Sequence, residues 1–227
     1  MKNRFQASLH KWDVTRRQAI EIQRELRQKV RITDDCGQVR YVAGVDAGIE
    51  DQGRTLRAAA ALLKFPELTL AESAVVRMPA AFPYISGLLS FREAPAIIAA
   101  LEKLNRLPDL ILCDGQGFAH PRRLGIACHI GILTDIPAIG VAKTRLTGEH
   151  APLSPEKGST VALTEHGERI GMVLRSRSNV KPLFISPGHK TGFDSATESV
   201  MQCLTRYRLP ETTRWAHRLA SSKEKAG

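Results

Sequence analysis

Apolar and polar residues alternate in the first half of the chain in a pattern that predicts two helices and three strands. Apolar side chains spaced four apart over residues 13–30 predict an amphipathic helix, capped by Asp13 or Thr15. Strand-like runs follow at 41–46, 58–64 and 68–78, and the short turns between the later runs predict an antiparallel meander. A second helix is predicted to open at Ser90, with Pro95 in its first turn, where a missing N–H costs little.

The second half of the chain alternates strands and helices. Residues 110–114 form an apolar run that ends on an acid and is followed by glycines, which is typical of a buried strand reaching the surface. The elements predicted after it are a helix at 122–134, a strand at 138–142, a loop at 144–158, strands near 159–164, 169–175 and 182–186, a loop at 186–190, and helices at 194–206 and 212–222. This order predicts one α/β domain on a mixed sheet over residues 1–227, with 1–12 and 223–227 frayed.

The net charge of the chain indicates the class of its binding partner. The 33 Lys and Arg residues against 23 Asp and Glu give a net charge of +10, which favours a polyanion, with nucleic acid first and an anionic membrane surface second. A basic but otherwise ordinary soluble protein is the alternative. The four cysteines show no Cys-x-x-Cys spacing, and there is neither a secretory signal nor an apolar stretch long enough to span a membrane. We therefore expect a soluble cytoplasmic protein with buried, reduced thiols.

Two aspartates each end a strand-like run before a glycine-containing turn. If the strands of Asp46 and Asp114 are parallel neighbours, their carboxylates meet at one edge of the sheet, where sites form in α/β proteins. Facing carboxylates repel unless a cation or proton lies between them, and an oxygen-rich site suits Mg²⁺ or Mn²⁺. The alternative is that each aspartate only makes an Asx-turn.

Other polar residues have ordinary alternatives. Glu93 stands three residues after Ser90, and this spacing favours a capping box over a catalytic role. Lys143 ends a strand, where it could stabilise negative charge or simply be solvated. His120 lies in a glycine-rich loop and could contact phosphate or base, or it could be an ordinary surface histidine. The periodicity around His217 favours a residue at the boundary of a helix packing face.

The segment Phe82-Pro-Tyr-Ile-Ser86 combines two aromatic residues and an aliphatic residue in a proline-stiffened loop. In a basic protein such a loop could enter a duplex as a wedge and unstack a base. A loop that packs its aromatic residues onto its own domain is the alternative. Five basic residues are further candidates for phosphate contacts: Arg122, Arg123, Arg175, Arg177 and Lys181.

Seven segments, in chain order, resemble the motifs of the endonuclease V family. They are Gly44–Gly48, Pro83–Ser86, Gly87–Glu93, Asp114–Gly125, Ile139–Lys143, Pro182–His189 and Leu209–His217. The most specific segment is Asp-Gly-Gln-Gly-Phe-Ala-His-Pro-Arg-Arg-Leu-Gly at 114–125. Two departures are Ser86, where the wedge motif usually has a second proline, and Ala47 in the first motif.

The resemblance implies a ribonuclease-H-like fold, with a central mixed sheet flanked by helices. It implies that Asp46 and Asp114 hold Mg²⁺, for which Mn²⁺ could substitute, and that Glu93 is a third catalytic carboxylate. Lys143 and His217 match the remaining catalytic positions of the family. This replaces the capping interpretation of Glu93 and the boundary interpretation of His217.

The resemblance also implies how the lesion is recognised. Tyr84, flanked by Pro83 and Ile85, would be the wedge, and a flipped hypoxanthine would lie in a pocket formed by Leu89, Gly115, His120, Gly125 and Ile126. Arg122 and Arg123 would contact the DNA backbone.

The implied activity is hydrolysis of the second phosphodiester bond on the 3′ side of deoxyinosine, leaving 3′-hydroxyl and 5′-phosphate ends, by a protein expected to be a monomer. Two rival functions are an inosine-specific ribonuclease that acts on inosine-containing RNA, and a non-catalytic protein that binds inosine or branched nucleic acids. The second rival would bind without metal and never nick.

Overall fold

A computed structural model describes Phe5 and residues 9–221 of the chain. The helices in this part are α1 Arg16–Arg27, α2 Leu89–Glu102, α3 Ile126–Thr134, α4 Phe193–Gln202 and α5 Glu211–Ser221. The strands are β1 Tyr41–Glu50, β2 Thr55–Lys64, β3 Leu70–Pro79, β4 Leu110–Asp114, β5 Ala138–Ala142, β6 Thr160–Glu165, β7 Glu168–Leu174 and β8 Leu183–His189. Thr15 caps α1, with Gln18 closing a capping box.

The strands form one eight-stranded sheet in the order β3-β2-β1-β4-β5-β8-β7-β6. The meander β1-β2-β3 is antiparallel, β4 and β5 run parallel to β1, and β8, β7 and β6 complete the sheet with antiparallel pairings. The predicted α/β class, mixed sheet and single domain are confirmed.

Helices cover both faces of the sheet. Buried residues of α2 and α3, such as Ile97 and Ile130, pack with Val45 of β1, whereas Val200 of α4 packs with Val42 on the other face. Because side chains alternate along a strand, Val42, Gly44 and Asp46 share the face that α4 and α5 cover. The burial of both faces explains why the central strands are nearly continuous apolar runs.

Several predicted boundaries were wrong. Strand β8 continues through Pro187, Gly188 and His189, which were predicted to be loop. Helix α3 begins at Ile126, four residues after its predicted start, and Pro95 lies beyond the first turn of α2. Because α2 starts at Leu89, Pro95 lies inside the helix, where it removes the hydrogen bond that an N–H would donate to the Phe91 carbonyl oxygen.

The predicted frayed ends fall largely on residues 1–4, 6–8 and 222–227, which lie outside the described part of the chain. Within it, Phe5 is buried and Trp12 packs against the core. No helix among the described residues is long and apolar enough to cross a membrane.

Candidate active site

Glycines on either side of Asp46 let α5 lie directly against β1. A Cβ atom at Gly44 would lie 2.0 Å from the carbonyl oxygen of Thr212, and one at Gly48 would lie 2.4 Å from that of Ala220. Cβ atoms essentially never approach other heavy atoms within 3.0 Å. The two backbones can therefore meet only because both positions are glycine.

This close approach brings His217 of α5 onto Asp46. The His217 Nδ1 atom lies 2.8 Å from Asp46 Oδ2, although the residues are 171 positions apart in sequence. The Ala47 N–H donates to the other oxygen, Asp46 Oδ1, at 2.8 Å. The Asp46 side chain is 13% exposed and that of His217 is 53% exposed, so the imidazole faces solvent while its carboxylate partner is sheltered.

Asp114 lies beside Asp46 because β4 and β1 are parallel neighbours. Their register pairs Cys113 with Val45, so the next residue of each strand is an aspartate at the same edge of the sheet. The sequence predicted that the two aspartates meet, but the predicted strand end at Asp46 was wrong, because pairing with β2 extends β1 to Glu50.

Lys143 reaches the same edge from the end of β5, and its ammonium Nζ contacts Asp114 Oδ2. Burial, followed by the charge of Asp46, raises the pKa of Asp114, while the hydrogen bond from Lys143 lowers it. Arg208 donates from Nη2 to the backbone oxygens of Lys143 (2.9 Å) and Pro182 (2.8 Å), which fixes the chain where the lysine emerges. Sequence reasoning missed Arg208, because a backbone contact made by an arginine leaves no periodic signal.

Glu93 does not cap α2. The N-cap is Leu88, and the hydroxyl of Ser90 lies 3.0 Å from His129 Nδ1 inside the protein. The Glu93 side chain makes no hydrogen bond within the described part of the chain. Burial and the charges of the two aspartates raise the pKa of Glu93 to about 8, against a smaller opposing effect of Arg92. The capping interpretation is therefore wrong, and Glu93 belongs electrostatically to the acidic pair.

Asp46, Asp114 and His217 each offer a ligand atom, and these atoms lie within 4.8 Å of one another. Two sheltered carboxylates on one edge are what a hard divalent cation binds, and Mg²⁺ commonly uses one or two carboxylates with water. Burial raises the pKa of Asp114 and of Glu93, and repulsion from the neighbouring carboxylates raises both further. A bound cation would relieve this repulsion. The donor set therefore fits a divalent metal ion.

A pocket of about 310 Å³ opens next to these residues, at the lower end of the range for small-molecule sites. All five residues expected to line a base pocket lie in its wall: Leu89, Gly115, His120, Gly125 and Ile126. Asp114 and Lys143 line it as well. Gly115 has φ +147°, and a Cβ there would lie 2.7 Å from the Ile126 side chain, so a side chain at this position would fill the pocket.

His120 is a fixed, neutral part of this wall. It is buried, its Nε2 lies 3.0 Å from the Gly87 carbonyl oxygen, and its Nδ1 accepts the Arg122 N–H at 3.1 Å. Burial, followed by the charge of Arg122, lowers the pKa of His120 to about 4. The imidazole therefore donates through Nε2 at neutral pH, and it ties the loop after β4 to the segment before α2.

The loop around Tyr84 has one buried and one exposed aromatic residue. Phe82 is 4% exposed and anchors the loop on Phe91, whereas Tyr84 is 70% exposed. Arg92 donates to the Phe82 carbonyl oxygen at 2.7 Å. Tyr84 and Ile85 line the mouth of the pocket and Pro83 is exposed beside them, so the structure places a projecting ring at the pocket entrance.

Arg122 and Arg123 differ from the expectation that both contact a nucleic-acid backbone. Arg122 is half-buried and donates to Gln23 Oε1 (2.5 Å) and to the Gly87 carbonyl oxygen (2.6 Å). Arg123 is 7% exposed and paired with Glu165 and Glu168. The assignment of Arg123 to a backbone contact was therefore wrong, because its guanidinium is inside the protein.

The sequence profile of endonuclease V matches residues 24–218. The chain belongs to the endonuclease V family. An endonuclease V of Rippkaea orientalis is 56% identical over 206 residues, which are 91% of this chain and 90% of the relative. Membership of this endonuclease V family identifies the chain as a nuclease.

Solved structures of the endonuclease V family share the fold. Endonuclease V from Streptomyces avermitilis has a TM-score of 0.87 and 39% identity, over 92% of each chain. Endonuclease V from Ciona intestinalis has a TM-score of 0.78 and 28% identity, over 91% of this chain and 97% of that one. The Ciona intestinalis protein, a D234N variant, was solved with a 23mer DNA containing an inosine followed by a ribo-adenosine.

Gln23 of α1 is a further site residue that sequence reasoning missed. Its amide donates to the carbonyl oxygens of Gly87 (3.0 Å) and Leu124 (3.1 Å), and the residue lines the pocket. A buried glutamine on an otherwise apolar helix face was the available signal.

Proposed function

We propose that this protein is a Mg²⁺-dependent endonuclease that recognises deoxyinosine in DNA and hydrolyses the second phosphodiester bond on its 3′ side, leaving 3′-hydroxyl and 5′-phosphate ends. One observation carries the proposal: two chain segments contribute both to the charged site and to the base-sized pocket beside it. Asp114 precedes Gly115 of the pocket wall, and Lys143 precedes Thr144 of the same wall. The order β3-β2-β1-β4-β5, with β4 and β5 parallel to β1, supports assigning the sheet to the ribonuclease-H-like class.

Asp46 and Asp114 would hold the metal ion, and Mn²⁺ could replace Mg²⁺. When bound, such an ion lowers the pKa of a coordinated water and neutralises charge on the phosphate. His217 contacts Asp46 through Nδ1, so its Nε2 is the ring nitrogen left to exchange a proton with water. Glu93 is the second candidate for this proton once a bound cation offsets the repulsion that raises its pKa. The Lys143 ammonium stabilises negative charge at the reacting phosphate.

The pocket would receive the flipped hypoxanthine while Tyr84 fills the gap in the stack. The base is recognised and not excised, so the unstacking cost of a few kcal/mol is recovered from pocket contacts. Fixed hydrogen-bonding groups reject a base with the wrong donors and acceptors because buried polar groups would be left unpaired. The backbone around Gly115 and Gly125 would supply such groups, while His120, whose ring nitrogens bond to Gly87 and Arg122, fixes the shape of the wall.

The test is cleavage of matched oligonucleotides by Asp114→Asn, with Glu198→Gln as an exposed carboxylate-to-amide control on α4. Loss of a charge worth several kcal/mol in the transition state should lower nicking by at least about a thousandfold. Binding to the inosine duplex should persist, and Glu198→Gln should resemble wild type. Full nicking by Asp114→Asn, or none by wild type with Mg²⁺, contradicts the proposal.

An inosine-specific ribonuclease is the second candidate, because the nucleic acid in the Ciona intestinalis structure carries a ribonucleotide after the inosine. Parallel assays on inosine-containing DNA and RNA strands decide between the two. Binding in EDTA with no nicking under any metal would instead indicate a non-catalytic inosine- or branched-nucleic-acid-binding protein. Action as a monomer in the cytoplasm is also proposed, and the four free thiols are compatible with a reducing compartment.

A further inference from the structure

Arg123 is a buried junction between the loop after β4 and the β6–β7 hairpin. Its Nη1 donates to the His120 carbonyl oxygen at 2.9 Å and to Glu165 Oε2 at 2.5 Å. Its Nε donates to Glu168 Oε2 at 2.8 Å. One guanidinium therefore holds the backbone of a pocket residue and both ends of the hairpin turn.

Glu165 extends this junction to another part of the pocket wall. Its second oxygen, Oε1, accepts the hydroxyl of Thr147. The neighbouring Glu149 exchanges two backbone hydrogen bonds with Thr164, at 2.7 and 2.9 Å. The segment 147–149 is thus fixed to β6, while residues 144–146, directly before it, line the pocket.

We propose that the Arg123–Glu165 ion pair is a positioning device that sets base specificity, because it joins two segments of the pocket wall through the β6–β7 hairpin. One segment ends at His120 and the other is 144–146. The inference rests on the proposed function, since it assumes that the pocket reads the base. It assigns a role in specificity to residues that touch neither the acidic cluster nor the pocket interior.

The geometry of Arg123 supports a positioning role. The residue has φ +55°, a left-handed conformation that residues other than glycine seldom adopt. The planar fork of arginine can engage Glu165, Glu168 and a carbonyl oxygen together, which a lysine cannot do. Side-chain exposures of 8% for Arg123 and 19% for Glu165 keep water from replacing the pair.

The sharpest test separates the hairpin from the pocket wall at Thr147 and leaves the buried arginine untouched. Thr147→Val removes only the hydroxyl, Thr147→Ser retains it, and Thr160→Val is a matched control at an exposed threonine of β6. The measurement is the ratio of single-turnover cleavage of inosine-containing DNA to that of adenosine-containing DNA. Loss of a hydrogen bond to a carboxylate should lower this ratio about tenfold in Thr147→Val. Thr147→Ser and Thr160→Val should keep the wild-type ratio.

A second measurement does not depend on activity. Hydrogen–deuterium exchange should become faster at residues 144–149 in both Thr147→Val and Arg123→Lys, with β1 and β4 unchanged. If exchange and the cleavage ratio both stay at wild-type values in Thr147→Val, the inference is wrong. If wild type does not cleave inosine-containing DNA at all, the proposed function fails, and exchange alone still decides whether the ion pair positions the wall.

Discussion

Replacing Gly44 with alanine tests whether the backbone contact between β1 and α5 places His217 on Asp46. The added Cβ would lie 2.0 Å from the Thr212 carbonyl oxygen and 2.8 Å from the Thr213 nitrogen. Both neighbours are backbone atoms, so no side-chain rotation can relieve the overlap. Helix α5 must move away from the strand.

The size of the movement follows from the contact distance. Restoring the 3.0 Å that real Cβ contacts require displaces α5 by about 1 Å at Thr212. The same displacement at His217 would stretch its 2.8 Å contact with Asp46 beyond hydrogen-bonding range. Overpacking of this kind costs about 1–3 kcal/mol of stability, and a 1 Å misplacement of a catalytic group can cost about a hundredfold in rate.

The assay is single-turnover cleavage together with urea unfolding of Gly44→Ala, His217→Ala and the double variant. If the glycine acts through the histidine, Gly44→Ala should cost little additional rate in the His217→Ala background, while its stability loss persists. If the rate losses of the two single variants multiply in the double variant, this reasoning is wrong. Gly48→Ala would place its Cβ 2.4 Å from the Ala220 carbonyl oxygen, a milder clash, and provides a second case should Gly44→Ala fail to fold.

Three further predictions follow from other parts of the molecule. Burial lowers the pKa of the fully buried His129 from 6.5 to about 3. The stability contributed by its neutral form is therefore complete above about pH 6.5 and is lost as pH falls toward 3, at up to about 1.4 kcal/mol per pH unit. Urea unfolding between pH 7 and 4.5 checks this, and the same dependence of unfolding free energy on pH in His129→Gln would contradict it. Tyr84→Ala should leave stability within about 0.5 kcal/mol and weaken binding of inosine duplexes with residual nicking, whereas unchanged affinity in a gel-shift assay would exclude the wedge. Arg122→Gln should reduce the slope of log affinity against log salt by about 1. The control Arg106→Gln changes a residue beside Tyr41, at the opposite end of β1, and should keep the wild-type slope. A wild-type slope in Arg122→Gln would rule out a phosphate contact at Arg122.

Local patterns predicted the parts of the fold that depend on local physics. The end of β4 at Asp114 was predicted because an apolar run, an acid and a glycine follow one another there. The same pattern gave a wrong strand end at Asp46, because pairing with β2 extends β1 to Glu50. The end of β8 was missed because Pro187 and Gly188 normally interrupt strands. Here Gly188 passes within close range of the Ala127 and Ala138 backbones, so tertiary packing keeps these residues in the sheet.

From residue patterns alone, the site was predictable only for Asp46 and Asp114, where acidic side chains follow apolar runs of two strands that could be parallel neighbours. Periodicity alone favoured a cap at Glu93 and a helix boundary at His217, and only the resemblance to endonuclease V placed both in the site. Their positions depend on contacts between distant segments, such as α5 on β1, which no local window contains. Arg123 is the opposite case: its position in a nucleic-acid-binding motif predicted a phosphate contact, whereas its burial, which the sequence does not reveal, indicates a structural role.

The shared segments of the pocket wall have a consequence for attempts to alter base preference. Asp114-Gly115 and Lys143-Thr144 each carry a reacting group and a wall residue on adjacent positions, so a redesign there would disturb turnover together with selectivity. The wall contributed by residues 84–87, 89 and 90 and by Leu124 and Ile126 has no aspartate or Lys143 at an adjacent position. Laboratory evolution toward another deaminated base should therefore collect productive changes in the second group of residues and leave the first group untouched.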